Sequence, residues 1–568
     1  MEAFESELLG SSASDRGWSL VETFSRTRRE LPDEFEHGAA ILARHLEESG
    51  LPVKSYRPSI YQGVPLDTRL QCEGRSFPCK AAALSPAQAE FTAPLVHVPA
   101  RDGKTRVHTN DPALLFGEGM TRLSLAALVR GKVVLTEGLS NPARSQLLEE
   151  LGALAIIAIN PGRAVHWGAS SVIWGSPGME DFGRLPGIVS MAVNRESGDW
   201  LVDAAARNAS VTIAADMLHG WFEQTLLTVD IPGNGPAADE FILLHGHMDS
   251  WDLGVGDNAT GDAVLLEVAR TLYAGRRHLR RSVRVAWWPG HSAGRYAGST
   301  WYADNQARAL HSRCVAHLNC DSPGCRDAVD YGSIRGMAEA QPLVAGAVSD
   351  LFGQQCRLER PGRAGDYSFN NLGVSGAMLT SSMVPAEERK RRGWYSVGGN
   401  GGSPTWHTED DVLEVADRKV LENDIRLYAL VAARLACGVT PPLDFRLPCA
   451  QIVRRIEEVQ ETVGTAMDFG EQLALAQALQ VEVGAAYEGP QAASRAGRWP
   501  ALFAASRSIV RAGYSERGIY DQDPAIAQAA VPMLGAATEW GRHAAAAASL
   551  RRGANRLHAE LENALRCL

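Results

Sequence analysis

The 568 residues exceed what one hydrophobic core supports, so several domains are expected. With 45% apolar and 21% charged residues the composition is that of a water-soluble globular chain, and a formal net charge of −10 offers no basic surface for nucleic acid. No window approaches ~18 uninterrupted apolar residues, which argues against a membrane helix, and nine cysteines without paired spacing predict reduced thiols in a cytoplasmic protein.

The first residues are acidic with no apolar segment behind them, so no secretory leader is expected. A helix is expected within 20–50, where Pro32-Asp33-Glu34 signals a start and Ala39, Ile41, Leu42 and Leu46 recur at helical spacing up to Gly50. A strand-rich segment follows to about residue 90, and 1–90 is taken with 221–440 as one discontinuous domain. Between 91 and 220, strands at 131–135 and 153–159 and a helix at 145–151 have the spacing of a small β-rich module. His166-Trp167-Gly168 and Trp174-Gly175 fall in its loops, where they either line a pocket or pack.

Beyond 221, strand, turn and helix alternate. Strands are expected at 241–244, 283–288 and 315–318, and helices from Ser299 and after a cap at Asn258, the latter carrying Val264, Leu265, Val268 and Leu272. Such alternation predicts an α/β fold: a mainly parallel sheet flanked by helices, its catalytic loops at one edge. From 441 to 568 the chain turns Ala-, Leu-, Glu- and Arg-rich, broken at Gly489-Pro490, Pro524 and Pro532, with one long helix at 543–565. This helical C-terminal domain contains no cluster of chemical residues.

His247-Met248-Asp249 follows a strand, and imidazole with carboxylate suits zinc or a similar ion whose His ligand needs a second partner to fix its ring. Asp257-Asn258 enters a helix. Asp321 ends a strand between Cys320 and Cys325, which read as buried thiols. His407 lies in Pro404-Thr405-Trp406-His407-Thr408-Glu409. Each has an ordinary structural explanation; together, in this order, they point to a metal site.

In this order the motifs resemble the co-catalytic zinc aminopeptidase family that includes glutamate carboxypeptidase and the transferrin receptor. The family pattern is His-x-Asp, Asp-Asn-x-Ser/Thr-Gly, Glu-Glu-x-Gly-x-x-Gly-Ser, Asn-x-Asp and a late His. Gly131-Lys132-Val133-Val134, Gly152-Ala153-Leu154-Ala155-Ile156-Ile157 and Pro186-Gly187-Ile188-Val189 are similar to the family's inserted protease-associated domain, and 441–568 to its dimerisation domain. The resemblance implies that His247, Asp257 and Asp321 bind one metal, that Asp257 bridges to a second held by His407, and that Asp249 orients His247. It also implies one or two divalent ions, zinc above all, a homodimer, and substrate contacts from Asp366, Tyr367 and Trp406.

The chain departs from the family at the double glutamate. His291-Ser292 stands there, and aligning Gly298-Ser299 takes one extra residue. His291 is then a metal ligand, a general base suited to neutral pH, or part of a dead site, and all three readings stay open. Arg295, beside the altered motif, is the candidate anchor for a substrate carboxylate; the charged run 387–392 and glycine-rich 393–402 are a second candidate or a solvated surface. The expected function is a metal-dependent hydrolase cutting an amide or peptide bond of a small, carboxylate-bearing molecule or short peptide. A metal-dependent lyase or non-peptide amidohydrolase using His291, and a non-catalytic dimeric binding protein, are the alternatives.

Overall fold

The computed structural model describes residues 2–11, 14–100, 120–380, 382–488, 492–541 and 543–568; the expected break at Gly489-Pro490 lies outside them. Its central sheet has six strands in the order Val53–Tyr56, Leu226–Ile231, Ser282–Trp288, Phe241–His247, Cys314–Asn319 and Ser375–Met378. The last four run parallel, and the first two are antiparallel additions at one edge. Strand Phe241–His247 is buried throughout, as a strand covered on both faces must be. Its alternate side chains divide between two cores. Ile242 and Leu244 join the helices Asp15–Phe24, Thr260–Ala274 and Arg418–Cys437; Phe241 and Leu243 join Trp288, Tyr302, Leu310 and Phe369 on the other face. The α/β fold expected from the alternation is present.

The helix expected in 20–50 is two helices, Asp15–Phe24 and Pro32–Glu48, the second opened by its proline.

A second sheet has eight strands and begins earlier than expected. Ser59–Cys72 pairs with Ser210–Glu223 in antiparallel register from Ser59↔Glu223 to Cys72↔Val211. The expected boundary at 91 falls inside the strand Gln88–His97 of this same sheet. Strand periodicity marks a strand but not the sheet it joins, so Ser59–Cys72 and its neighbours up to residue 90 belong to this second sheet while Val53–Tyr56 stays in the central one. Within the module Val133–Glu137, Ala155–Ile159 and Val189–Val193 are parallel neighbours, and Pro142–Glu150 is its helix.

The C-terminal region contains the helices Arg446–Val463, Gly470–Tyr487, Ala492–Tyr514 and Ala546–Cys567. Leu550, Leu557 and Leu561 of the last lie at helical spacing and are buried in the core that also holds the central sheet. All nine cysteines are free. Among the described residues no helix is long and apolar enough to cross a membrane.

Candidate metal centre

The carboxyl ends of the parallel strands gather the chemistry, as the topology of such sheets dictates. His247 ends Phe241–His247, and Asp321 follows Cys314–Asn319. The Nδ1 of His247 lies 2.9 Å from the carbonyl of Asp249. A carbonyl only accepts, so Nδ1 carries a proton, and Nε2 is the nitrogen turned toward Asp257. It lies 3.0 Å from Oδ1 of that carboxylate. On the other side of the same carboxylate, Nε2 of His407 lies 3.2 Å from Oδ2, and its Nδ1 is held at 3.0 Å by the carbonyl of Trp167. Asp257 therefore stands between two imidazoles, one at each oxygen, as a bridging carboxylate does.

Burial pushes the His247 imidazole down, but the Asp257 carboxylate 3.0 Å away outweighs it and lifts His247 well above its ordinary value. Burial pushes Asp257 up, and the adjacent imidazoles of His247 and His407 overcome that and hold it well below the carboxylate range. Asp321 is raised by burial and then by the charge of Asp257. Buried acceptor atoms facing one another are satisfied by a cation between them, and the Nε2 of His247 and Oδ1 of Asp257 have no hydrogen-bond partner among the described residues. An N/O donor set of this kind fits zinc or a similar divalent ion.

The ring of His291 stacks on that of His247, centroids 3.8 Å apart and planes 17° from parallel. Donor atoms of His247, His291 and Asp321 lie within 4.8 Å of one another. An ion sits close to the plane of any imidazole that ligates it, and two rings stacked in this way share no such point. Proximity alone therefore does not make His291 a co-ligand of His247. Its Nδ1 is 2.7 Å from Oδ2 of Asp366, whose Oδ1 accepts from the Ser299 hydroxyl at 2.6 Å.

Several expected roles move. The Asp249 carboxylate is 3.9 Å from the His247 ring and instead accepts the backbone N–H groups of His291 at 2.9 Å and Ser292 at 2.8 Å. It orients His247 by its backbone and the altered loop by its side chain. Asn258 caps no helix. Its Nδ2 donates to the carbonyls of His247 and Cys320, and its Oδ1 accepts from Ser322 N–H, tying two strand ends together. A Cβ on Gly261 would lie 2.2 Å from that Oδ1, so only glycine fits there.

Asp366 and Tyr367 do not line the cleft. Gly365 and Asp366 take φ of +62° and +50°, a turn that aims Asp366 at His291 and buries Tyr367 against His317, ring centroids 4.7 Å apart. Trp406 does line it, stacked on His407 at 3.6 Å. The run 387–392 is surface: Glu388 pairs with Arg391 and Arg392, and Arg392 with Asp327.

The cleft is lined by Asp257, His291, Asp321 and His407 together with Arg295, Arg335 and Arg363. Among the described residues none of these arginines forms an ion pair. Arg363 donates to the carbonyls of Tyr367 and Asp523 and lies over the Trp174 ring at 3.7 Å; burial pushes it down to about 10. Arg295 donates to the carbonyl of Ala525 and lies 4.8 Å from the Tyr296 ring centroid. Residues 139–142, which lead from Val133–Glu137 into Pro142–Glu150, also line the cleft.

Supports absent from the sequence reading are Arg29 and Asp411, while His166, expected in a module loop either to line a pocket or to pack, is buried with its Nδ1 2.6 Å from the Trp406 carbonyl. Buried Arg29 binds the carbonyls of Met248 and Gly254, fixing the loops that carry Asp249 and Asp257. Asp411, pushed up to about 7 by burial, accepts the N–H groups of Gly256 and Asp257. Only Asp411, beside His407, carried a local signal.

Fold and site together define an α/β protein with His and Asp side chains gathered at the carboxyl ends of its parallel strands. Residues 227–431 match the family model described as Peptidase family M28, which bears out the resemblance carried by the motifs. The chain is 24% identical over 415 residues to leucine aminopeptidase 2 of Arthroderma otae, covering 69% of this chain and 77% of that protein. It is 37% identical over 87 residues to the probable glutamate carboxypeptidase VP8 of Zea mays, covering 15% of this chain and 12% of that protein. It spans less than half the length of several curated relatives. A zinc aminopeptidase from Bacillus subtilis has a similar fold, with a TM-score of 0.54 at 19% identity over 74% of this chain and 94% of that one.

Proposed function

We propose that this protein is a metal-dependent hydrolase that cuts a peptide or amide bond in a small substrate bearing a carboxylate. The observation that carries this reading is the Asp257 carboxylate held between the Nε2 atoms of His247 and His407, at 3.0 and 3.2 Å. His247, Asp257 and Asp321 would hold one divalent ion, zinc above all. His407 with Asp257 would hold a second, at a position that lacks the family's carboxylate because Ser292 stands there. A divalent ion so held supplies Lewis acidity and a water acidic enough to attack near neutral pH.

The chain's own residues do the rest. His291 takes the proton from the attacking water and returns it to the leaving amine. Asp366 fixes its tautomer and ring, as an orienting carboxylate does for a general base. Asp249 holds the backbone of the His291-Ser292 loop, so the ring keeps its place over His247. Arg295 and Arg363, which line the cleft and form no ion pair among the described residues, receive the substrate's carboxylate. The module is the lid of this cleft and the C-terminal helices are a dimerisation surface. Free thiols throughout agree with a cytoplasmic setting.

The test pairs metal analysis with assay of acidic dipeptides. The expected result is stoichiometric metal, hydrolysis lost on chelation, and a His291→Ala variant that keeps its metal while turnover falls by about 10²–10⁴. Absence of metal removes the enzyme reading. Loss of metal in His291→Ala returns His291 to the ligand set.

A further inference from the structure

We propose that His166, in the inserted module, is a positioning residue for the metal ligand His407, so that the second metal position is assembled jointly by the two domains. The inference rests on the reading of His407 as a ligand.

The contacts form a chain. Strand Ala155–Ile159 leads into Asn160, whose Nδ2 donates to the carbonyl of Gly138 and whose Oδ1 accepts the N–H of His166 at 2.7 Å. The His166 ring is fully buried and used at both nitrogens. Nδ1 lies 2.6 Å from the carbonyl of Trp406 and Nε2 2.8 Å from the hydroxyl of Tyr395. A carbonyl accepts only, so Nδ1–H donates to Trp406 and the Tyr395 hydroxyl donates to Nε2; one neutral tautomer satisfies both.

The next residue closes the link. Trp167 and His407 bond reciprocally: the Trp167 N–H donates to the His407 carbonyl, and the His407 Nδ1 donates to the Trp167 carbonyl, each at 3.0 Å. The second of these bonds leaves the His407 Nε2 lone pair aimed at Asp257. The Trp167 ring lies between Trp251, stacked at 5.7 Å, and the ammonium of Lys80 at 3.4 Å. His407 has φ +58°, a conformation a non-glycine residue keeps only when its surroundings over-determine it. Asp257, Trp251 and Trp406 touch it, and the module contributes the two backbone bonds of Trp167. A partner that fixes a ligating imidazole is typically worth 10–100-fold in metal affinity.

The full chain, stripped by chelation, is titrated with zinc in competition with a chromophoric chelator. His407→Ala is expected to abolish one component of wild-type binding. His166→Ala should weaken that same component by about 10–100-fold and leave the tighter one unchanged, at wild-type secondary structure and melting temperature. His166→Gln, which can donate to Trp406 and accept from Tyr395, should recover most of the loss. A His166→Ala isotherm that superposes on wild type, or equal weakening of both components, overturns the inference. If His166→Ala does not fold, Tyr395→Phe decides: a severalfold weakening of the same component supports it and an unchanged isotherm overturns it. If His407→Ala itself binds zinc as wild type does, the ligand reading fails first and this inference with it.

Discussion

Nδ1 of His291 and Oδ2 of Asp366 are 2.7 Å apart, and the second oxygen of Asp366 is held by the hydroxyl of Ser299. The carboxylate is thus a fixed acceptor that sets which nitrogen of His291 carries a proton. Asp366→Asn presents a donor where an acceptor is needed. Turnover should fall by about 10²–10⁴ with KM and metal content unchanged; loss of metal instead of turnover would reassign the pair to metal binding.

Asp249 receives two backbone N–H groups from the altered loop. Asp249→Ala leaves both without their charged acceptor, at a cost of about 1.5–3 kcal/mol each at most. The expected result is a lowered urea midpoint and a larger proportional loss of turnover. Wild-type turnover in a folded Asp249→Ala protein would show that the loop needs no such anchor.

Ser292 lines the cleft beside Asp257 and His407. Restoring a carboxylate with Ser292→Glu should tighten zinc at the second position by about tenfold or more, roughly 1.4 kcal/mol, read in the same chelator competition. No gain would mean that the loop, one residue longer than the family's, aims this side chain elsewhere.

Arg295 tests the substrate's charge. Arg295→Ala should raise KM for substrates with a free carboxylate by about 10–100-fold, the weight of a charge-assisted hydrogen bond. Amidated counterparts should be unaffected. An equal effect on both would dismiss carboxylate recognition at this residue.

His317 predicts a pH dependence of stability. Burial and then the neighbouring His245 hold it well below its ordinary value. Below about pH 6.5 the unfolded chain takes up this proton and the folded one does not. Stability is therefore lost as pH falls from about 6.5, by up to about 1.4 kcal/mol per pH unit, with no contribution above it. Urea midpoints at pH 7, 6 and 5 should decline less steeply in His317→Asn than in wild type; parallel slopes would refute the assignment.

The parallel sheet was legible because Phe241–His247 and Cys314–Asn319 are apolar runs with His and Asp at their ends, and a strand buried on both faces announces itself locally. His247 and Asp321 stood out as candidates for the same reason, each closing such a run, whereas Asp257 and His407 stood out only by the order of the motifs. What stayed hidden depends on partners far along the chain. Arg29 reads as a surface charge until Met248 and Gly254 fold over it. Asp366 faces His291 only because of the turn at Gly365, and Ser59–Cys72 joins the second sheet only because Ser210–Glu223 returns beside it. No local periodicity encodes these pairings.

The ribbon that leads into the module and back has a genetic consequence. Ser59 and Glu223 are paired neighbours, and Val53–Tyr56 continues the same pairing with Leu226–Ile231. The two points where the module leaves and rejoins the chain are therefore side by side, and joining residue 58 to 224 would close a hairpin without stretching the sheet behind it. The intervening segment behaves as a cassette whose removal spares the scaffold. The excised protein is expected to keep its central sheet yet lose the Trp167 carbonyl that steadies His407, and with it the ordering of the proposed second metal position.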